Sequence, residues 1–210
     1  MIEAVVSDFG GVLTVPLLEG FARYEERSGV PATAIGTAIE RATTAADGRN
    51  PLYELEVGAI TEGQFLSVLE REVVAVLGRE VSLHGFGETY MGGLHENAEL
   101  FGYYRALHAR GLRFAMLTNN VREWEPLWRA KLPIDEFFET VVDSAFVGMR
   151  KPDPAIFALV LERLRLPAEA CVFVDDLEHN IDAARALGFA VVHHRTTADT
   201  IAALDGLLTP

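Results

Sequence analysis

The sequence predicts an α/β protein in which a parallel sheet carries helices on both faces and an all-helical segment follows the first strand. Three observations indicate this fold. Short apolar runs alternate with helical patterns through the second half of the chain. Polar residues follow these runs directly, as they do at the carboxyl ends of parallel strands. Residues 15–94 break the alternation, and their pattern is helical throughout.

The predicted strands are short and apolar. The first covers residues 4–8 and is followed by Gly10 and Gly11. Short strands joined through helices favour parallel pairing with right-handed crossovers. The remaining predicted strands are 112–117, 140–142, 171–174 and 189–192, and the predicted helices between and after them are 96–110, 154–164, 178–187 and 197–208.

The segment between the first two strands predicts a separate helical cap. Thr61 and Gln64 have the spacing of a capping box, in which each residue satisfies the other's backbone amide at a helix start. Four glycines near its end predict flexible connections that let the cap open and close. We expect a catalytic core of residues 1–14 and 95–210 and a cap of residues 15–94 over the end of the sheet. The predicted cap helices are 18–27, 32–43, 51–56 and 62–77, and the four glycines are Gly85, Gly87, Gly92 and Gly93.

Composition excludes several classes of protein. Half of the residues are hydrophobic and 23% are charged, which is typical of a globular protein with a sizeable core. The net charge of −13 disfavours nucleic acid and anionic membrane surfaces as partners. A single cysteine, Cys171, fits a reducing compartment, and neither a transmembrane run nor a signal peptide is evident. We therefore expect a cytoplasmic protein, either a monomer or a homodimer.

Four polar clusters fall at the ends of the predicted strands: Asp8, Thr118, Lys151 and the pair Asp175–Asp176. Each alone is typical of a turn or a helix cap. Parallel strands would bring all four to one edge, where three carboxylates repel each other unless a cation offsets them. Oxygen ligands suit Mg²⁺, and a lysine and a hydroxyl beside the ion make a cradle for a phosphoryl group. Asp8 is placed to accept that group as an aspartyl-phosphate.

The clusters resemble, in order, the four motifs of the haloacid dehalogenase-like hydrolases. The motifs read DFGGVL at 8–13, LTN at 117–119, RKPDP at 150–154 and VDD at 174–176, the last continuing as LEHNIDAARALG to residue 188. The resemblance covers the whole chain, with residues 15–94 matching the inserted cap of the family. It implies a Rossmann-like core and a hydrolase that acts on a small phosphorylated metabolite with Mg²⁺ as cofactor.

The resemblance also implies the ligands of the metal. Asp8 would be both the nucleophile and a Mg²⁺ ligand, and Asp176 would be the second direct carboxylate ligand. Asp175 would act through a metal-bound water. The backbone carbonyl of Gly10 would complete the protein ligands.

Other roles implied by the resemblance concern the substrate. Thr118 and Lys151 would hold the phosphoryl oxygens and act in catalysis with Asp8. Asn119 would contact the substrate. Asn180 would orient the acidic loop from behind the metal ligands.

One position departs from the pattern. Most phosphatases of the family carry an aspartate two residues after the nucleophile, where it protonates the leaving group, and this chain has Gly10. Three interpretations stay open. In the first, the chain is a phosphatase similar to the N-terminal phosphatase domain of epoxide hydrolase and to bacterial sugar-phosphate phosphatases. The leaving group would then take its proton from the cap or from water, or it would be one that needs little help. Alternatively it is a 2-haloacid dehalogenase, or a binding or regulatory protein without turnover.

The cap would select the substrate, and its sequence offers few distinctive candidates. Most of these side chains are more typical of surface or packing positions. His84 is a further candidate for a replacement acid. The polar candidates are Arg23, Arg27, Arg41, Arg49, Tyr24 and Tyr53.

Overall fold

A computed structural model describes residues 1–208. Its strands are β1 (Ala4–Ser7), β2 (Arg113–Thr118), β3 (Thr140–Asp143), β4 (Cys171–Asp175) and β5 (Ala190–His193). Within the described residues they form one sheet in the order β3-β2-β1-β4-β5, and all neighbouring pairs are parallel. The predicted parallel sheet is therefore confirmed, and each strand end lies within one residue of its prediction.

Residues 15–94, called the cap segment below, are all described and form five helices without a strand. The predicted capping box is present: Thr61 Oγ1 accepts a hydrogen bond from the Gln64 amide at 3.2 Å, and Gln64 Oε1 accepts one from the Thr61 amide at 2.9 Å. The helices are α1 (Leu17–Ser28), α2 (Ala32–Ala45), α3 (Pro51–Glu56), α4 (Glu62–Leu77) and α5 (Phe86–Gly93).

The two ends of the cap segment lie side by side. The Val15 amide donates to the His95 carbonyl at 2.8 Å, and the Asn97 amide donates to the Leu13 carbonyl at the same distance. The cap segment thus begins and ends at the same place beside the sheet. The division into a core of residues 1–14 and 95–210 and a cap of residues 15–94 stays a prediction, and residues 209 and 210 lie outside the described residues.

The end of the cap segment differs from the expectation of flexible connections. Residues 86–93 form the packed helix α5. A Cβ atom on Gly87 would lie 2.0 Å from Trp124 Nε1, and one on Gly20 would lie 2.8 Å from the ring of Tyr90. Glycine at these two positions therefore serves close packing of helices.

Both faces of the sheet are covered because alternate strand residues point in opposite directions. Ala4 and Val6 pack with α10 (Pro154–Leu164) and α11 (Glu178–Ala186). Val5 packs in the cluster that holds α6 (Ala98–Ala109) and α12 (Thr197–Leu208). In residues 1–208 none of the helices combines the length and the apolar character needed to cross a bilayer. The core helices are α6 (Ala98–Ala109), α7 (Glu125–Arg129), α8 (Ile134–Phe137), α9 (Ser144–Val147), α10 (Pro154–Leu164), α11 (Glu178–Ala186) and α12 (Thr197–Leu208).

Candidate active site

The carboxyl edge of the sheet brings the four polar clusters together. Ser7, the last residue of β1, is in register with Met116 of β2 and with Val174 of β4. Asp8 and Asp175 therefore leave neighbouring strands at the same level. A cavity of about 220 Å³ lies between this edge and the cap segment. The predicted site residues that line it are Asp8, Gly10, Thr118, Asn119, Lys151, Asp176 and Asn180.

Lys151 lies at the centre of the charged groups. Its Nζ is 2.9 Å from Asp8 Oδ1 and 2.7 Å from Asp175 Oδ2, and its side chain is 1% exposed. Burial works to lower the pKa of Lys151, but the two carboxylates outweigh burial and raise that pKa above its usual value. The ammonium thus stays charged and ties the β1 loop to β4.

Asp8, Asp175 and Asp176 each offer a carboxylate oxygen within 4.8 Å of the others. Burial raises the pKa of Asp8 to about 7, an effect that Lys151 opposes and that the other two carboxylates reinforce. Burial and the charge of Asp175 also raise the pKa of Asp176. One ammonium therefore offsets only part of the repulsion among three carboxylates.

The donor set fits a hard divalent cation. Asp176 Oδ1 is buried and has no hydrogen-bond partner among residues 1–208. A buried carboxylate oxygen without a donor is costly unless a cation neutralises it. Carboxylate oxygens are the ligands that Mg²⁺ prefers, so the residues present are those such an ion needs.

Asp175 is held by hydrogen bonds from the loop after β4 and from the first turn of α11. Asn180 Nδ2 donates to both oxygens of Asp175, at 3.0 and 3.2 Å, and the Leu177 amide donates to Asp175 Oδ1 at 2.9 Å. Asp175 and Asn180 are both fully buried. These three bonds fix the position of the Asp175 carboxylate.

The loop after β1 approaches Asp176 closely at Gly11. Gly11 has a φ of +75°, which a glycine adopts without strain. A Cβ atom at this position would lie 2.5 Å from Asp176 Oδ2. Gly11 is thus required both by backbone conformation and by the space that the carboxylate occupies.

Thr118 and Asn119 flank the lysine. Thr118 is buried at the end of β2 and lines the cavity. Asn119 pairs with the backbone of Lys151: its Nδ2 donates to the carbonyl at 3.0 Å, and its Oδ1 accepts from the amide at 2.8 Å. Asn119 therefore orients the lysine loop, and its contact with a substrate stays a prediction.

Gly10 occupies the position, two residues after Asp8, at which the resemblance leads one to expect an acidic side chain. It lines the cavity, and a Cβ atom there would lie 3.0 Å from Cδ2 of Leu17. Leu17 opens α1, so the first helix of the cap segment occupies the space beside Gly10. An apolar side chain thus stands where a proton donor would be expected.

The cap segment reaches the site through Glu56. Its carboxylate accepts a hydrogen bond from Arg150 Nε at 2.6 Å, and both side chains are less than one-fifth exposed. Burial raises the pKa of Glu56, and the Arg150 guanidinium partly reverses this effect. Arg150 also stacks over the ring of Tyr53 at 3.8 Å. Arg150, the residue before Lys151, therefore joins the carboxyl edge of the sheet to α3.

The polar cap candidates lie elsewhere. None of Arg23, Arg27, Arg41, Arg49, Tyr24, Tyr53 and His84 lines the cavity in the described part of the chain. Arg41 instead pairs with Glu72 at 3.1 Å, and Arg49 lies 3.9 Å from Glu54. Sequence reasoning missed Glu56, Tyr90 and Trp124, which do line it. No sequence signal distinguishes Glu56 from the other acidic residues at helix ends.

A family model of haloacid dehalogenase-like hydrolases matches residues 2–188. The chain belongs to this family. The resemblance carried by the four motifs is therefore confirmed.

Three curated relatives illustrate the range of the family. Acyl-CoA dehydrogenase family member 10 of Mus musculus is 29% identical over 98% of this chain and 19% of that protein. Bifunctional epoxide hydrolase 2 of Rattus norvegicus is 25% identical over 94% of this chain and 37% of that protein. The chain thus spans less than two-fifths of the length of either. Phosphorylated carbohydrates phosphatase of Thermotoga maritima is 28% identical over 91% of this chain and 86% of that protein.

Solved structures share the fold. A family enzyme from Bacteroides thetaiotaomicron, in complex with magnesium and inorganic phosphate, has a TM-score of 0.67 and 19% identity, covering 93% of this chain and 95% of that one. The L-2-haloacid dehalogenase of Xanthobacter autotrophicus has a TM-score of 0.65 and 20% identity, covering 91% and 76%. Phosphate-binding and halogen-removing proteins therefore lie at similar structural distance.

Proposed function

We propose that this chain is a Mg²⁺-dependent phosphomonoesterase that hydrolyses a small phosphorylated metabolite through an aspartyl-phosphate on Asp8. The observation that supports it best is the buried Lys151 ammonium, 2.9 Å from Asp8 and 2.7 Å from Asp175 at the base of the cavity. A fixed cation beside a carboxylate nucleophile favours the charge of a transferring phosphoryl group. The Thermotoga relative is a phosphatase by name, and the Bacteroides structure holds magnesium and phosphate.

Asp8 attacks phosphorus in this proposal. Its Oδ1 accepts bonds from the Phe9 amide at 2.7 Å and from Lys151, so Oδ2 is the oxygen that attacks. The new bond from Oδ2 to phosphorus forms as the ester P–O bond breaks, and the leaving oxygen takes a proton. Water then attacks phosphorus, releasing inorganic phosphate and restoring the carboxylate. Lys151 and Thr118 hold the phosphoryl oxygens.

Asp8, Asp176 and the Gly10 carbonyl would hold Mg²⁺, with Asp175 acting through a water. When bound, the ion offsets the negative charge of the carboxylates and of the phosphoryl group. The unpartnered Asp176 Oδ1 supports this assignment. Asn180 positions Asp175 through the two bonds from its Nδ2.

Gly10 supplies no proton for the leaving oxygen. The proposal therefore requires a leaving group that needs little help, or a proton from water or from the cap segment. Positioned acid–base catalysis typically contributes 10² to 10⁴-fold in rate, so its absence at position 10 should be visible in the choice of substrate.

The dehalogenase alternative shares the nucleophile. It is favoured by the missing acid and by the similar fold of the Xanthobacter enzyme. The two further carboxylates around Lys151 favour the phosphatase, because an attack on carbon needs no site for a divalent cation.

The deciding experiment measures phosphate release from p-nitrophenyl phosphate and a panel of metabolite phosphates, with Mg²⁺ and with EDTA. Release that requires the metal and is lost in Asp8→Asn is the expected result. Asp182→Asn is the matched control, because Asp182 is exposed and pairs with Arg185 at the surface. It should keep full activity.

Three outcomes would overturn the proposal or part of it. Chloride release from 2-haloacids without phosphate release would establish the dehalogenase. No release in either assay would indicate a binding protein without turnover. Near-wild-type activity in Asp8→Asn would remove that residue from the mechanism.

A further inference from the structure

The walls of the cavity differ sharply between its two ends. At the sheet edge they carry the charged groups of Asp8, Lys151 and Asp176. On the side of the cap segment they are largely aliphatic and aromatic, drawn from α1, α2, α3 and α4. Six of these side chains are Phe21, Ile35, Ile39, Leu52, Phe65 and Leu69.

Polar side chains from the cap segment are scarce and engaged. Among the described residues of that segment that line the cavity, Glu56 and Tyr90 are the two with a hydroxyl or a carboxyl group. Glu56 is bound by Arg150 at 2.6 Å. Within the described cap segment this leaves the Tyr90 hydroxyl to hydrogen-bond a ligand, and one hydroxyl is too few for a ligand with several polar groups.

A polyol phosphate would lose water at each hydroxyl on entering this space and would find few hydrogen bonds in return. A hydrocarbon chain has no hydrogen bonds to water to lose, and its transfer from water to an apolar wall is favourable in free energy. The phosphoryl group, by contrast, would find the Lys151 ammonium and the Thr118 hydroxyl at the sheet edge. The cavity therefore suits a molecule with one charged end and one apolar end.

We propose that the substrates of this site are phosphomonoesters of apolar alcohols, with the hydrocarbon held by the walls of the cap segment. This proposal rests on the proposed function and narrows its substrate class. It also separates this chain from the Thermotoga relative, whose name specifies carbohydrates.

The test compares kcat/KM for n-butyl, n-hexyl and n-octyl phosphate with that for glycerol 3-phosphate and glucose 6-phosphate. We expect kcat/KM to rise about three- to fourfold for each added methylene until the cavity is filled. The octyl ester should exceed glucose 6-phosphate by about 100-fold or more. Faster release from glucose 6-phosphate would overturn the apolar assignment while leaving the phosphatase intact.

A matched pair of variants locates the effect. Leu52 and Leu66 are both half-buried in neighbouring helices, and Leu66 is not among the cavity's lining residues. Leu52→Gln should lower the ratio of octyl to butyl kcat/KM at least tenfold, whereas Leu66→Gln should leave that ratio unchanged. If Leu52→Gln does not fold, Ile39→Phe fills the same cavity with an apolar ring and should shift the optimum to shorter chains. Equal ratios in the cavity variants and the control would contradict the proposal.

A binding measurement separates this proposal from the proposed function. Calorimetry with n-octylphosphonate and 2-hydroxyethylphosphonate reports the apolar contact without turnover. Tighter binding of the octyl compound with no phosphate release from any ester would support the apolar site and overturn the phosphatase. Equal binding of the two compounds would overturn the apolar site.

Discussion

The Lys151 ammonium lies 2.9 Å from Asp8 Oδ1, with the two side chains 1% and 10% exposed. Burying a charge is costly unless a partner of opposite sign is close. Here one ammonium serves two carboxylates directly, and a third lies beside them. The charge of Lys151 is therefore needed to keep these carboxylates together, and in the proposed mechanism the same charge binds the phosphoryl group.

Lys151→Met should lower stability and abolish turnover. It keeps the length of the side chain but leaves three neighbouring carboxylates unopposed, and breaking a buried pair of this kind costs about 3–5 kcal/mol. Because a divalent cation would replace part of the missing charge, Mg²⁺ should raise the melting temperature of the variant more than that of the wild type. Thermal unfolding with and without Mg²⁺ measures both effects.

Lys131→Met is the matched control for that variant. Lys131 is half-buried and does not line the cavity. Its substitution should change neither turnover nor the response to Mg²⁺. An equal response to Mg²⁺ in both variants would show that the ion does not bind beside Lys151.

Gly10→Asp should restore a proton donor if Leu17 gives way. The new Cβ would lie 3.0 Å from Leu17 Cδ2, so the leucine side chain must shift. We expect Gly10→Asp combined with Leu17→Ala to raise kcat on alkyl phosphates by about 10–100-fold, and kcat on p-nitrophenyl phosphate much less. The aryl leaving group is stable without a proton, whereas the alkoxide is not.

Leu17→Ala alone is the control for the space that the double variant opens. It should leave the ratio of alkyl to aryl kcat unchanged. Equal gains on both substrates in the double variant would mean that the missing acid does not limit the reaction.

The pair Glu56–Arg150 should contribute to docking of the cap segment. Both side chains are less than one-fifth exposed, and Glu56→Gln or Arg150→Gln leaves the partner's charge buried. Each single variant should lose about 1–3 kcal/mol of unfolding free energy. The double variant should lose less than the sum, with a coupling of about 1 kcal/mol or more. Urea unfolding of the four proteins gives the cycle.

The exposed pair Arg185–Asp182 calibrates this cycle. Its side chains are 57% and 62% exposed, and such surface pairs contribute little because water screens them. The same cycle on this pair should give a coupling near zero. A coupling at Glu56–Arg150 no larger than this one would show that the cap segment is held by packing instead.

The strands and the edge at which they converge were predictable from sequence. Each strand is a short apolar run followed at once by a polar residue, and a parallel sheet places such residues side by side. This reasoning placed Asp8, Thr118 and Asp175 correctly at one edge. Lys151 reaches the same edge differently, because it lies in the loop after α9, eight residues beyond the end of β3. The order of strands within the sheet was not predicted, because periodicity carries no information on which strands are neighbours.

The cavity side of the cap segment was not predictable. Its helices are apolar at many positions, and which of those positions faces a cavity depends on how the helices pack. The spacing of the glycines in α5 predicts hinges, whereas Gly87 lies where a side chain would clash with Trp124. A glycine required for close packing cannot be told from a flexible one by its spacing along the chain.

Asp143 makes the stability depend on pH in a predictable direction. It ends β3 and accepts a bond from the Ala145 amide through Oδ1, while Oδ2 is buried without a partner in residues 1–208. Burial raises the pKa of Asp143 from 3.8 to about 6. Between these values the native state binds more protons than the unfolded chain, so stability falls as pH rises through this window and is level above it.

Asp143→Asn removes this titration and keeps an oxygen for the helix cap. Its stability relative to the wild type should therefore grow from pH 4 to pH 6 and then stay constant, at about 1–3 kcal/mol in favour of the variant. Urea unfolding at pH 4, 5, 6, 7 and 8 measures this difference. Asp153→Asn is the control, because Asp153 caps α10 in the same way but is exposed. A difference at Asp143 that does not change with pH, or that matches the control, would show that its carboxylate is not destabilised by burial.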